Sequence, residues 1–145
     1  MHSHLFIGQN IQVELNCNDD VNIESYPAAW NIIIEQLLEN SIVHGFTPEQ
    51  IYKKITISVS HLGNNEWCFD YKDNGQGLTK DIASRVFDPF VTTKRGSSDH
   101  AGLGLYRVFN LVHRVFDGEV CVKNGPGFHL TLMFQVDEAA QAAIA

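Results

Sequence analysis

Cysteine is scarce in this 145-residue chain. Cys17, Cys68 and Cys121 are odd in number, widely separated and without a CxxC pair, which argues against both a disulfide framework and a cysteine-based zinc site and fits a reducing compartment. Long apolar runs are also missing: no stretch approaches the roughly 20 residues of a membrane helix, and the start, Met1-His2-Ser3-His4, has no basic segment leading into an apolar one, so neither an anchor nor a signal peptide is expected. Positive charge is in short supply, with 10 Lys and Arg against 17 Asp and Glu and a formal net charge of -7. General affinity for nucleic acid or an anionic membrane rewards clustered bases, so neither is expected as a partner.

What is present is enough for one ordinary globular domain: 44% hydrophobic residues, 19% charged, and no internal repeat,. Residues 1–10 are expected to be an N-terminal extension or tag remnant, 11–136 the domain and 137–145 an Ala-rich tail. His2 and His4 are a conceivable metal pair, against the plainer reading of an unstructured end.

Residues 11 to 15 alternate like an edge strand, and Asn16 to Asn22 reads as a polar loop,. A helix follows, with Ser25 as N-cap, Pro27 in its first turn and apolar positions from Trp30 to Leu38 at spacings of three and four, ending at Gly45. Alternation over 55–60 and 66–72 around Gly63-Asn64-Asn65 predicts an antiparallel hairpin. A short helix from Thr79 to Val86, a longer one from about Gly104 to Phe116, a turn at Asp117-Gly118 and strands at 119–123 and 128–136 complete the chain. This order predicts an α+β, two-layer α/β sandwich with helices on one face of a mixed, mostly antiparallel sheet.

Asp73-Asn74-Gly75-Gln76-Gly77-Leu78 closes the second hairpin strand. Glycine permits positive φ and close approach of a ligand, and an aspartate beside it accepts a hydrogen bond from an exocyclic amine such as adenine's; an ordinary surface turn is the competing reading. On the first helix Gln36, Asn40 and His44 recur every four residues as a polar stripe. Asn is a poor mid-helix residue, so Asn40 points to ligand or metal contact, its carbonyl oxygen suiting Mg²⁺, unless the stripe is simply a solvated face. The neighbouring Glu39 is either a water-mediated general base or a solubilising charge. Phe87 and Phe90 precede a long stretch carrying Thr93, Lys94 and Arg95, which suits a lid with phosphate-binding bases. Gly102-Leu103-Gly104-Leu105 then runs into a helix, whose exposed N–H groups and dipole suit a phosphate, or else forms a glycine hinge. Thr131 on the last strand is a candidate for the pocket floor.

These pieces, in this order, resemble the ATP-binding catalytic domain of sensor histidine kinases within the gyrase, heat-shock chaperone, histidine kinase and MutL ATPase superfamily, from about Ile11 to Val136. Glu39-Asn40-Ser41 is similar to the family's Asn box, Asp73-x-Gly75-x-Gly77 to its first glycine box, Phe87-Asp88-Pro89-Phe90 to its Phe box and Gly102-Leu103-Gly104-Leu105 to its second glycine box. The resemblance implies a Bergerat-type sandwich in which Asp73 binds the adenine amine of ATP, Asn40 holds Mg²⁺ and a lid from about Asp88 to Ala101 covers the triphosphate, with Lys94 at the γ-phosphate. Gln36 stands where the gyrase and MutL branches carry a hydrolytic Glu, which favours phosphotransfer over hydrolysis. Val43 replaces a frequent basic residue and His100 an early glycine.

The chain has no His-Glu-Leu-Arg-like phosphoacceptor segment. The implied partners are therefore ATP or ADP, a separate dimerisation and phosphoacceptor domain of the same parent kinase and, indirectly, a response regulator. The implied location is cytoplasmic, with a membrane-anchored parent left open. A partner-switching module of the anti-sigma type, phosphorylating serine, and a nucleotide-gated structural module are the rival readings.

Overall fold

Pro27 opens helix α1 (Pro27–Glu39), its fixed φ suiting a first helical position and its missing N–H costing nothing there,. Ala29, Ile33 and Leu37 recur every fourth residue and are buried, so one stripe of α1 faces the core,. In the computed structural model, which describes residues 2–7, 10–17, 26–77, 100–123 and 125–136, the α pattern ends at Glu39. The next turn, Asn40–Gly45, is a π-helix, closed by the Phe46 N–H donating five residues back to the Ser41 carbonyl at 2.8 Å. Its wider winding leaves the consecutive residues Asn40 and Ser41 both buried,. Gly45 is the last residue of this turn, as its expected role as terminator requires; Ser25 lies outside the described residues and Tyr26, at the N-cap, makes no side-chain cap bond.

Among the described residues six strands form one sheet in the order β1-β2-β3-β4-β6-β5: β1 (His2–Ile7), β2 (Ile11–Asn16), β3 (Lys53–Gly63), β4 (Glu66–Asp73), β5 (Glu119–Lys123) and β6 (His129–Gln135). Of these described strands β2 and β3 pair in parallel and the other neighbours antiparallel. The sheet is thus mixed and mostly antiparallel, and the hairpin β3–β4 turns at Gly63 and Asn64, both at positive φ. The segment expected as an extension or tag remnant contains a sheet strand, His2–Ile7, paired with β2 through the β-favouring run Leu5-Phe6-Ile7,. One expectation is corrected: β2 is not an edge strand but internal, flanked by β1 and β3.

Helix α2 (His100–Val115) packs beside α1, burying Leu105, Val108 and Val112. The described helix already includes His100, four residues before the expected start, so both glycines of Gly102-Leu103-Gly104 lie within the helix. Alternate strand residues complete the core, among them Ile55 and Ile57 of β3, Phe69 and Tyr71 of β4, and Leu130 and Leu132 of β6. Trp30, Phe116 and Phe134 stack at its far end with ring centroids 4.8 to 6.0 Å apart,. One face of the sheet is thereby covered by helices, giving the expected two-layer sandwich. The short helix expected over 79–86, most of the lid and the tail after 136 lie outside the described residues.

Candidate functional site

Asp73 is the last residue of β4 and the one buried charged side chain among the described residues, 6% exposed. Its backbone is held by β6's approach: the Asp73 N–H donates to the Phe128 carbonyl at 2.9 Å. Its Oδ1 accepts the backbone N–H groups of Gly75 at 2.9 Å and Phe128 at 3.0 Å, and its Oδ2 accepts the Ser41 hydroxyl at 2.6 Å. Ser41 in turn lies 2.6 Å from the hydroxyl of Tyr71, which reaches the Leu37 carbonyl at 3.0 Å. Burial, reinforced by the charge of Asp73 and opposed by the Ser41 hydrogen bond, pushes the Tyr71 hydroxyl far above its ordinary pKa, so it stays a proton donor,.

The glycine turn is clamped from both sides. Gln76 donates its backbone N–H to the Gly45 carbonyl at 2.9 Å and its amide to the His44 carbonyl at 2.7 Å, tying the turn to the π-helix. Asn74 accepts the Lys54 N–H at 2.8 Å and donates to the Tyr52 carbonyl at 3.0 Å, tying it to β3. A side chain on Gly75 would strike the backbone of Gly45, and one on Gly127, at φ +104°, would strike the carbonyl of Asp73. These glycines are there because backbones meet at the carboxylate.

Asn40 lies beside Ser41, 5% exposed, and its Oδ1 is buried with no hydrogen-bond partner among the described residues. A buried carbonyl oxygen costs about 1 to 3 kcal/mol when left unmatched, which suits an atom reserved for a ligand. It is a hard oxygen donor, so the residue present fits Mg²⁺. No cluster of three or more His, Cys, Asp or Glu that could hold a metal ion occurs among the described residues.

Of the residues expected at the site, the structure brings Gln36, Glu39, Asn40, His44, Asp73, Gly75, Gly77 and Gly104 to the junction of α1, the π-helix, the end of β4 and the start of α2. A Cβ added at Gly104 would meet the side-chain oxygen of Gln36, the movable end of that side chain, so α1 and α2 meet here through Gln36 and the bare backbone of Gly104. Leu105 is buried in the core and contributes packing; of Gly102 and Leu103 only the helical backbone is described. Leu78, Phe90, Thr93, Lys94 and Arg95 lie outside the described residues.

Thr131 is corrected. It pairs with Asp70 and donates its hydroxyl to the Asp70 carboxylate at 2.8 Å, on the opposite sheet face from Leu130, Leu132 and the Asp73 side chain. What approaches Asp73 from this side is Phe128, just before β6, through its main chain. Ser41, Tyr71, Phe128 and Gly45 were not singled out as site residues from the sequence. A separate apolar concavity of about 420 Å³, lined among others by Leu15, Pro27, Trp30, Ile34 and Phe134, lies along the N-terminal part of α1, and no cation lines it among the described residues.

A match to the family model for the histidine kinase-, DNA gyrase B- and HSP90-like ATPase covers residues 27–139, and so runs from the first residue of α1 through every element of this junction. The chain belongs to that ATPase family. Its relatives in this family include the signal transduction histidine-protein kinase AfsQ2 of Streptomyces coelicolor, 28% identical over 134 residues, which cover 90% of this chain and 24% of the relative. Sporulation kinase E of Bacillus subtilis is 29% identical over 128 residues, 85% of this chain and 16% of the relative. The chain therefore spans about a quarter or less of the length of these relatives. Among solved structures, the mycobacterial sensor histidine kinase MprB superposes with a TM-score of 0.69 at 17% identity, covering 87% of this chain and 82% of that one. Full-length ShkA in complex with AMPPNP superposes with a TM-score of 0.69 at 23% identity, covering 88% of this chain and 26% of that one. These likenesses show the histidine kinase catalytic-domain fold.

Proposed function

We propose that this ATPase-family domain is the catalytic, ATP-binding part of a two-component sensor histidine kinase, passing the γ-phosphate of ATP to a histidine on a separate dimerisation and phosphoacceptor domain. The observation that carries the reading is the buried Asp73 carboxylate, fixed on three sides and set against Asn40, whose carbonyl oxygen is buried and unmatched among the described residues. A carboxylate in that state accepts from an exocyclic amine and rejects a base offering a carbonyl there, which selects adenine's amino edge.

Asn40 would hold Mg²⁺, which when bound with ATP neutralises charge on the phosphate oxygens. The remaining work of the chain is placement. The backbone N–H groups around Gly102 and Gly104 are proposed to meet the phosphates, with Gln36 lying against Gly104 where α1 and α2 meet. Lys94 and Arg95 are proposed to contact the phosphates and Phe90 and Thr93 to shape the lid, with Glu39 beside the metal residue. The named kinase relatives support transfer to histidine, as does Gln36, an amide unable to act as the carboxylate base of a hydrolase. Response regulators and a cytoplasmic location follow from the same proposal; among the described residues no helix is long and apolar enough to cross a membrane.

The test is to incubate the chain with ATP labelled at the γ-phosphate and Mg²⁺, with and without the helical phosphoacceptor domain of the parent. Label is expected on the acceptor domain only, lost in acid and stable in base. Acid-stable label on a partner's serine, or release of phosphate with no labelled protein, would overturn the histidine kinase reading.

A further inference from the structure

Three buried groups beside Asp73 form a directed chain. The Tyr71 hydroxyl, the Ser41 hydroxyl and Asp73 Oδ2 follow one another at 2.6 and 2.6 Å, and both Ser41 and Tyr71 are wholly buried. Each hydroxyl has a single proton. As a carboxylate, Asp73 is acceptor-only, so the Ser41 proton goes to Oδ2 and the short Tyr71–Ser41 contact needs the Tyr71 proton, shared with the Leu37 carbonyl,.

The count of acceptor sites then becomes decisive. Oδ1 takes two backbone N–H groups, Gly75 and Phe128, and is full; Oδ2 takes Ser41 and keeps one lone pair,. A serine inside a helix ordinarily bonds the carbonyl four residues back. For Ser41 that carbonyl is Leu37, and Tyr71 approaches it instead, at the point where the α pattern gives way to the π-turn. Ser41 is thereby released to turn toward the carboxylate.

We propose that Ser41, backed by Tyr71, is a positioning residue for base selection: it fixes the one free lone pair of Asp73 Oδ2 for the exocyclic amine of the ligand and, through its neighbour Asn40, sets the metal-binding oxygen in the same rigid turn. This rests on the ATP reading above and adds residues that act without touching the ligand.

The experiment compares calorimetric affinities for ATP and for purine riboside triphosphate, which lacks the 6-amino group, in the wild-type chain, Ser41→Ala and Tyr71→Phe, with melting temperatures recorded alongside. The wild type is expected to prefer ATP. Ser41→Ala is expected to weaken ATP about tenfold or more while leaving the amine-free analogue nearly unchanged, losing a hydrogen bond to a charged group; Tyr71→Phe, which keeps the ring and the fold, is expected to show the same loss of preference at smaller size. An unchanged preference in both variants, whether both affinities fall together or neither moves, overturns the positioning role, since a merely structural defect penalises both nucleotides alike. A wild type that binds neither nucleotide overturns the ATP reading itself, and this inference with it; the two failures appear in different arms.

Discussion

Asp73 and Asn40 carry opposite demands, and single substitutions separate them. In Asp73→Asn the retained carbonyl keeps the two backbone N–H bonds at Oδ1, and the Ser41 hydroxyl is able to turn and accept from the new amide, so the fold should survive. The amide, however, presents a donor to a donor. ATP affinity measured by calorimetry should fall by about 1.5 to 3 kcal/mol, roughly 10- to 150-fold; unchanged affinity would remove Asp73 from base recognition. Asn40→Ala deletes a buried oxygen with no partner among the described residues, so urea unfolding of the free protein should show no loss of stability, while Mg²⁺-dependent tightening of ATP disappears. A full Mg²⁺ effect in that variant would clear Asn40 of its metal role. Asp73 was legible in the sequence because a carboxylate, two glycines and a strand end coincide in six residues. Ser41 was not, since it sits at an apolar helical position and only the π-turn reveals its partner. Thr131 was misplaced although the signal existed: Leu130, Leu132 and Phe134 alternate around it and claim the core face.

At the scale of elements, most of the sandwich follows from alternation and helical spacing, which is why the hairpin, α1 and the last two strands were expected where they stand. The exceptions have physical causes. The π-turn obeys no composition rule, because its extra residue is stabilised by Gln76 and Asp73 from a distant turn; β1 depends on pairing with β2, a contact the sequence of residues 2–7 does not announce. Two chemically identical substitutions test how the elements meet. In Gly75→Ala the added methyl meets the backbone of Gly45, which cannot yield without moving the π-turn, whereas in Gly104→Ala it meets the mobile end of Gln36. The first should destabilise by about 1 to 3 kcal/mol by overpacking. The second should change stability by under about 1 kcal/mol, since helix propensity gained offsets the displaced side chain. Urea midpoints at equal m-values decide it; equal losses would mean that Gln36 is as rigid as backbone.

For the whole molecule, the site joins elements from both layers, α1 and its π-turn, the end of β4, the approach to β6 and the start of α2, so a ligand bound there stabilises the entire domain rather than one loop. Binding only the folded state at a ligand concentration 100 times Kd adds about 2.7 kcal/mol. For a domain of this size each kcal/mol raises the melting temperature by about 2 to 4 °C, giving a shift of roughly 5 to 10 °C with Mg²⁺ and ATP. At that same concentration Asp73→Asn, with Kd raised at least tenfold, retains about 1.4 kcal/mol or less, so its shift should fall to half or below. Asn40→Ala should instead show the same shift with and without Mg²⁺, equal to that of the wild type with ATP alone. The two variants thus fail in different columns of one thermal-shift experiment, base recognition in one and metal dependence in the other. A shift lost only with Mg²⁺ in Asp73→Asn, or lost without Mg²⁺ in Asn40→Ala, would reverse the roles assigned to the two ends of the site.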